Sequence, residues 1–330
     1  QLERGYTPST IVDDSRFKGG PRNSGGTYLG KIPLRTAVEK SKNVVAWRLF
    51  KELTPKVGLS YVLKMNFANI VANDYYLSAS LGGLTNGVST VEMASAYATI
   101  ENNGVYRDAT CVTKITDSSG NVVIDNKKNR EKKQVYEETA ARMMTDILEG
   151  VLIRGTASGH QLSNMACAGK TGTTTSNKDL WFVGYTPYYT CAVWGGYDDN
   201  KECNSDTKFR FRIWKGIMSR VHENLETKDF VMPSSVEQKS VCTISGYLAN
   251  SSCPSVTEYF ETDSPPDQRC PGHKSHSEDY DSEENDSKSH DTNSDNTGNN
   301  TGTNTGDNTG GTTGGNTGGG DAGGGNTGGD

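Results

Sequence analysis

The sequence predicts an α/β (α+β) domain, in which an antiparallel sheet is flanked by helices, followed by a disordered C-terminal tail. Several segments have apolar residues at helical spacing, and two adjacent runs of β-branched and aromatic residues are joined by a short turn. The order of helices, then neighbouring strands, then another helix favours an antiparallel sheet over regular βαβ alternation. The last part of the chain lacks the apolar residues that a core needs.

The tail covers residues 277–330 of the 330-residue chain. It holds eleven acidic residues against one lysine, and its only apolar residues are Tyr280 and Ala322. Such a segment cannot bury enough apolar surface to offset the entropy lost on ordering, so we expect it to be disordered.

The composition of the remaining body excludes two classes of partner. The chain has a net charge of −6, and because the tail is strongly acidic, the body is slightly basic. Its positive charge is not gathered into a stripe, so nothing indicates nucleic-acid binding. No apolar run approaches the roughly 18 residues that a membrane-spanning helix needs.

Five helices are predicted from the apolar spacing. Pro33 stands in the first turn of a short helix, and a break at Ser41 and Lys42 follows it. Asn43 is well placed as the N-cap of the next helix. The predicted segments are residues 33–40, 44–53, 91–100, 137–152 and 211–222.

Two hairpins are predicted, the first from alternation and the second from its composition. Residues 111–115 and 122–124 flank a Ser-Ser-Gly turn, and residues 181–185 and 190–194 flank a turn that contains Pro187. The second hairpin is rich in aromatic and β-branched residues, as buried strands are.

Seven cysteines leave the redox compartment open. No Cys-x-x-Cys occurs and no histidine has a zinc-type spacing, so we expect no metal site and no cofactor. Cys242, Cys253 and Cys270 lie in a stretch with little core, where either a disulfide or free thiols are compatible with the sequence.

The sharpest motif is Ala-Gly-Lys-Thr-Gly-Thr-Thr at residues 168–174. A phosphate-binding loop would need glycine at position 164, where Asn164 stands, and an apolar helix after the motif. The other interpretation is the Lys-Thr-Gly strand of serine acyl-transfer enzymes that react with penicillins. Lys170 would then supply positive charge. Thr171 and Thr173 would offer hydroxyls to a substrate carboxylate, and Gly172 would let a peptide backbone approach closely.

A second motif, Ser41-Lys42-Asn43, lies 129 residues upstream of Lys170, between two predicted helices. It fits the Ser-x-Asn element of the same enzymes, although an ordinary helix cap would have the same residues.

The surrounding sequence resembles the transpeptidase domain of class A penicillin-binding proteins, the bifunctional peptidoglycan synthases. The resemblance covers residues 1–235, is weaker over a cysteine-containing extension at 236–276, and is absent from the tail. The similar segments are Gly-Tyr-Thr-Pro-Ser-Thr at 5–10, Thr-Ala-Val-Glu-Lys-Ser-Lys-Asn-Val at 36–44, Leu-Gly-Gly at 81–83, residues 87–99, 138–146 and 169–174, and Asn-Lys-Asp-Leu-Trp-Phe-Val-Gly-Tyr-Thr-Pro at 177–187.

The resemblance implies a serine β-lactamase-like transpeptidase fold with a five-stranded antiparallel sheet. It also implies an extracytoplasmic enzyme of the bacterial cell wall, whose partners are D-Ala-D-Ala stem peptides, β-lactams and the cell-wall synthesis machinery. A serine attacks the D-Ala-D-Ala bond, and the acyl-enzyme is passed to an amine of a neighbouring stem. In this scheme Ser41 takes part in proton transfer and Asn43 holds the acyl chain. Lys170, Thr171 and Thr173 bind the substrate carboxylate.

The nucleophile is the point of departure from the family. Its Ser-x-x-Lys element precedes the Gly-Tyr-Thr-Pro stretch, whereas this chain begins at Gln1, so we expect an N-terminally truncated domain that is inactive alone. Ser15 and Lys18 form a Ser-x-x-Lys string, but the following Gly-Gly-Pro excludes the helix that would align them.

Two hypotheses follow for function. The chain is either part of an active transpeptidase, whose upstream part carries the nucleophile, a glycosyltransferase domain and a membrane anchor, or a non-catalytic peptidoglycan-binding or scaffold module.

Overall fold

The computed structural model describes residues 1–128 and 130–273. Five of its helices overlap the predicted segments. The helix that begins at Pro55 was not predicted, and Thr54 caps it by accepting a hydrogen bond from the backbone N–H of Val57. The helices are α1 (Leu34–Glu39), α2 (Asn43–Leu53), α3 (Pro55–Lys64), α4 (Thr90–Glu101), α5 (Glu138–Ile153) and α6 (Phe209–Val221).

The strands form one three-stranded sheet and four two-stranded ribbons, and all of these pairings are antiparallel. The ribbons pair β1 with β2, β3 with β6, β4 with β5, and β10 with β11. The strands are β1 (Ile11–Asp13), β2 (Lys31–Pro33), β3 (Val105–Arg107), β4 (Lys114–Thr116), β5 (Val122–Asp125), β6 (Lys132–Gln134), β7 (Ala168–Thr173), β8 (Asp179–Tyr185), β9 (Thr190–Gly196), β10 (Val236–Cys242) and β11 (Ser255–Glu261).

The three-stranded sheet β7-β8-β9 has helices on both faces. Alternation along β8 directs Phe182 towards the Trp214 ring of α6, where the ring centroids are 5.2 Å apart. Tyr185 points to the other face and donates a hydrogen bond of 3.0 Å to Thr145 of α5. The predicted antiparallel sheet flanked by helices is therefore confirmed. In the described residues the sheet has three strands rather than five, because the remaining strands pair among themselves in ribbons.

The turn between α1 and α2 is built differently from the prediction. Asn43 is the first residue of α2 rather than its cap, and Lys42 at the N-cap position makes no capping hydrogen bond with its side chain. The cap comes from a distant residue, since Asn23 Oδ1 accepts the backbone N–H of Val44 at 3.1 Å. A side chain brought in by tertiary folding has replaced the local one.

The hairpin of β10 and β11 is attached through buried charges. Glu258 of β11 is almost completely buried and accepts two hydrogen bonds from Arg35 of α1, one of them 2.6 Å from Nε. Arg35 also pairs with Asp146 of α5. These contacts hold the hairpin against the two helices that pack beside the sheet.

No helix in residues 1–128 and 130–273 has the length and apolarity needed to cross a membrane. The predicted disordered tail, residues 277–330, lies outside the described residues. The division into segments 1–235 and 236–276 stays a prediction.

Candidate active site

The six predicted site residues line one cleft with a volume of about 890 Å³. Its floor and walls come from the α1–α2 turn and from β7, which are far apart in sequence. The residues are Ser41, Asn43, Lys170, Thr171, Gly172 and Thr173.

Ser41 and Lys170 are in direct contact. Lys170 Nζ donates hydrogen bonds to Ser41 Oγ at 2.7 Å and to the carbonyl oxygen of Thr171 at 3.0 Å. Ser41 has a φ of 52°, in the left-handed region that non-glycine residues rarely occupy. Backbone hydrogen bonds from Ser41 and Lys42 to α1 carbonyls hold that conformation. The strained turn thus directs the serine hydroxyl towards the lysine.

Burial changes the protonation of Lys170. Both of its hydrogen-bond acceptors are neutral oxygens, so its charge is not compensated by a carboxylate. Burial therefore lowers the pKa of Lys170 to about 8. The amine is mostly charged at neutral pH and is close to the range in which it can exchange a proton.

Among the described residues, the strand β7 is at the edge of the sheet and pairs on one side only, with β8. Thr171 and Thr173 point to the same face because they are two residues apart. Thr171 shares a 2.7 Å hydrogen bond with the hydroxyl of Thr156. A Cβ at Gly172 would lie 3.0 Å from Cβ of Trp181, so this glycine lets β7 pack closely on its neighbour. Its predicted contact with a substrate backbone stays a prediction.

Arg210 of α6 is a site residue that the sequence analysis missed. It is only 8% exposed, and its Nη2 donates to Thr173 Oγ1 at 3.4 Å. Its Nε and Nη1 atoms are buried without a hydrogen-bond partner among the described residues. The spacing of Arg210 from Trp214 and Met218 is the signal that places it on the buried face of α6.

The middle residue of the Ser-x-Asn motif anchors the turn. Lys42 Nζ lies 3.5 Å from the buried carboxylate of Asp14 and donates to the carbonyl oxygen of Thr27 at 3.0 Å. Asn43 donates its side-chain N–H to the carbonyl oxygen of Arg22 at 2.9 Å. The turn that carries Ser41 is therefore fixed to the loop that follows β1.

Ser15 lies apart from this cleft. It is exposed, it lies in an irregular segment, and it is absent from the lining of the cleft. Its backbone N–H donates a hydrogen bond to Asp13 Oδ1, and its carbonyl oxygen accepts one from Arg48. No helix aligns it with Lys18.

A second cavity, of about 430 Å³, opens beneath the cleft. The two cavities share Val38, Tyr97 and Lys170 in their linings. The second is largely apolar and is also lined by residues 1–4 and by the inner faces of α4 and α5. It reaches the buried side of the Lys170 side chain.

The sequence analysis predicted no metal site, and the structure brings four potential metal ligands together. Cys242, Cys253, Cys270 and His273 bring their ligand atoms within 4.8 Å of one another. The Cys-x-x-His spacing of residues 270 and 273 was the signal that could have been recognised. All seven cysteines are free thiols in the structure, so the disulfide alternative is not the arrangement found.

The sheet with its flanking helices and the Lys-Thr-Gly strand beside Ser-x-Asn define a penicillin-binding transpeptidase domain. Residues 3–219 match a family model described as "Penicillin binding protein transpeptidase domain". Residues 232–275 match one described as "Penicillin-binding protein 1A, C-terminal domain". The chain therefore belongs to the penicillin-binding protein transpeptidase family, and the resemblance stated from the sequence is confirmed.

Two relatives illustrate the relationship. Penicillin-binding protein 1A of Clostridium tetani is 34% identical over 271 residues, which are 77% of this chain and 34% of that protein. Penicillin-binding protein 4 of Bacillus subtilis is 32% identical over 225 residues, 67% of this chain and 36% of that protein. The chain spans about a third of the length of such relatives.

Solved structures agree on the fold. Penicillin-binding protein 1A from Haemophilus influenzae has a TM-score of 0.71 at 21% identity, covering 82% of this chain and 47% of that one. The PonA1 protein from Mycobacterium tuberculosis in complex with penicillin V has a TM-score of 0.63 at 25% identity, covering 75% of this chain and 70% of that one.

Proposed function

We propose that the chain supplies the substrate-binding part of a D-Ala-D-Ala transpeptidase, which crosslinks peptidoglycan stem peptides through a serine acyl-enzyme and is acylated by β-lactams. The observation that carries this proposal is the 2.7 Å contact between Lys170 Nζ and Ser41 Oγ. It joins two motifs 129 residues apart at the edge of β7, where a peptide can bind.

The stem peptide binds along β7 in extended form. An edge strand offers unpaired backbone groups, which an extended peptide uses as an additional strand. Lys170 and Arg210 supply positive charge for the terminal carboxylate, and the hydroxyls of Thr171 and Thr173 donate hydrogen bonds to it. A free carboxylate is the feature shared by D-Ala-D-Ala peptides and penicillins, which explains why both fit.

Ser41 and Lys170 handle the proton of the leaving group. The nucleophilic serine loses its hydroxyl proton as its oxygen bonds to the carbonyl carbon, and the C–N bond to the last D-Ala breaks, so the leaving nitrogen takes up a proton. Ser41 Oγ accepts a hydrogen bond from Lys170, which leaves its own hydrogen free to donate. A pKa of Lys170 of about 8 suits proton exchange at neutral pH.

Deacylation completes the reaction. An amine of a neighbouring stem attacks the ester carbonyl, and the C–N bond of the crosslink forms as the C–O bond to the serine breaks. The proton lost by the amine goes to the serine oxygen. A β-lactam reacts at its ring amide, and the leaving nitrogen stays attached to the acyl group, so the ester persists.

The nucleophilic serine comes, in this proposal, from a segment outside residues 1–330. Ser41 is held by Lys170, and Ser15 lies outside the cleft. In this proposal that segment forms a helix whose serine and lysine, one turn apart, face the cleft beside Lys170. The 330-residue chain is then inactive alone. The complete protein would also carry a glycosyltransferase domain and a membrane anchor, and would work with the cell-wall synthesis machinery on the extracytoplasmic face.

The test is acylation by a fluorescent penicillin, with the chain joined to the coding sequence immediately upstream. Lys170→Ala should lower the acylation rate by about 10²- to 10⁴-fold, the range for losing a group that assists proton transfer. The exposed Lys215 on α6 gives a matched control, and Lys215→Ala should acylate normally.

Near-normal acylation of Lys170→Ala would remove the role given to this lysine. If the extended wild-type chain binds peptidoglycan and is never acylated, the non-catalytic scaffold hypothesis replaces the transpeptidase.

A further inference from the structure

Four metal-type ligands converge at the loop end of the β10–β11 hairpin, where Cys242 pairs with Ser255. Cys242 is the last residue of β10, Cys253 lies two residues before β11, and Cys270 and His273 follow β11. Their sulfur and nitrogen atoms lie within 4.8 Å of one another. His273 Nε2 is 3.0 Å from Cys242 Sγ and 3.2 Å from Cys270 Sγ.

The donor set favours Zn²⁺. Three thiolates and one imidazole nitrogen form a closed Cys₃His set, which is typical of structural zinc sites. Tetrahedral coordination with Zn–S bonds of about 2.3 Å separates sulfur atoms by roughly 3.8 Å. The ligand atoms lie within 4.8 Å of one another, so shifts of about 1 Å in their separations would reach that geometry. A disulfide would join only two of the four side chains.

Asn250 supports the cluster from outside it. Its backbone N–H donates to Cys253 Sγ at 3.5 Å, and its side-chain N–H donates to the carbonyl oxygen of Cys270 at 2.9 Å. The backbone N–H of Cys270 donates to Leu248 at 2.9 Å. These bonds hold the loop before β11 and the segment after it in register, as outer contacts do around metal ligands.

The hairpin has a small core of its own. The segments 243–254 and 262–273 have no regular strand or helix, and Val241, Phe260 and the two buried cysteines are among its few buried apolar residues. The strands are anchored to α1 and α5 through Arg35, whereas the two irregular segments bury little apolar surface of their own. A bound metal would supply the ordering free energy that these segments lack.

We propose that Cys242, Cys253, Cys270 and His273 form a structural Zn²⁺ site that fastens the two irregular segments to the β10–β11 hairpin. Binding releases the thiol protons of the cysteines and adds no redox step. The role of this site is structural rather than catalytic, because all four tetrahedral positions are filled by protein atoms. The zinc proposal can be tested whether or not the cleft is catalytic.

The first test needs no variant. The 330-residue chain, reduced and stripped of metal, is titrated with Co²⁺ and then with Zn²⁺. We expect about one Co²⁺ per chain with the thiolate charge-transfer and tetrahedral d–d absorption bands, which Zn²⁺ then displaces. Thiol-alkylation mapping should show Cys242, Cys253 and Cys270 protected by Zn²⁺ and reactive after chelation.

The second test uses variants with a matched control. Cys270→Ser should lower the affinity for Zn²⁺ by more than about tenfold, because losing a ligand costs more than losing an outer contact, which itself costs about 10- to 100-fold. Cys111 is exposed and outside the cluster, so Cys111→Ser should keep full metal content. The proposal is overturned if the wild-type chain fails to bind Co²⁺, if mapping of the native protein finds a disulfide among the three cysteines, or if Cys111→Ser loses as much metal as Cys270→Ser.

Discussion

Buried positive charge is used in opposite ways in the cleft and at the C-terminal hairpin. Arg35 is surrounded by carboxylates: it pairs with Glu258 and Asp146 and lies 3.8 Å from Glu39. Lys170 and Arg210, in the cleft, have only neutral oxygens as hydrogen-bond partners in the described residues. The first arrangement holds the fold together, whereas the second leaves charge available for an anion.

The pKa shifts follow this difference. Burial alone would lower the pKa of Arg35, but Glu258 and Asp146 raise it above its ordinary value. Burial lowers the pKa of Lys170 to about 8 and also lowers the pKa of Arg210, because no carboxylate compensates either cation. A buried cation without its counterion is costly, so its presence in a cleft indicates a ligand that supplies the negative charge.

The largest expected effect is on stability at the hairpin. Glu258→Ala should lower the free energy of unfolding by about 3–5 kcal/mol, because it leaves Arg35 buried with fewer partners. Glu237 of β10 makes a half-exposed pair with Lys239, so Glu237→Ala should cost less than about 1 kcal/mol. Denaturant unfolding measures both variants. Equal costs would show that the buried network does not anchor the hairpin.

Arg210→Met separates binding from stability. Its loss should weaken binding of a penicillin carboxylate by about 1.5–3 kcal/mol, the value of a hydrogen bond to a charged group. The unfolding midpoint should not fall, since the variant removes a buried cation with two unpartnered nitrogens. Arg35→Met should instead unfold more easily. If Arg210→Met lowers the unfolding midpoint but binds penicillin normally, Arg210 stabilises the fold, as Arg35 does, and does not bind the carboxylate.

The pH dependence of acylation tests whether the reaction needs Lys170 in its charged form. Its pKa is lowered to about 8, so the amine is charged below that pH and neutral above it. The second-order rate of acylation should therefore fall above about pH 8, by roughly tenfold per pH unit. Lys170→Arg keeps the charge at high pH and should flatten this limb, even if its rate is lower. A wild-type rate that stays level above pH 8 would contradict the assignment.

The smallest effect is expected at Thr156, a positioning residue for Thr171. Thr156→Val removes a 2.7 Å hydrogen bond between the two hydroxyls and should cost about 0.5–1.5 kcal/mol in acylation efficiency. Thr156→Ser should restore the loss, because it returns the hydroxyl. Failure of serine to rescue would indicate a packing role.

Residues that sit in contiguous motifs could be predicted from the sequence. Lys170, Thr171 and Thr173 lie within one string, and Ser41 lies between two helical patterns, so each was recognised and each lines the cleft. The aromatic and β-branched residues of β8 and β9, with the turn at Pro187 between them, also predicted this hairpin of the sheet.

Residues whose role depends on long-range contacts could not be predicted from the sequence. The cap of α2 comes from Asn23 rather than Asn43, and Arg210 reaches the cleft from α6. Cys242 and His273 are 31 residues apart, and the pairing of β10 with β11 and the hydrogen bonds of Cys270 to Leu248 and Asn250 bring them together. Local sequence patterns do not show which residues, far apart in the chain, come into contact in the fold.

The most direct measurement of the central claim is the site of penicillin attachment, mapped by mass spectrometry. We predict no adduct on the 330-residue chain, and an adduct on a Ser-x-x-Lys serine when the chain is joined to its upstream coding sequence. An adduct on the 330-residue chain alone, at Ser15 or Ser41, would contradict the account.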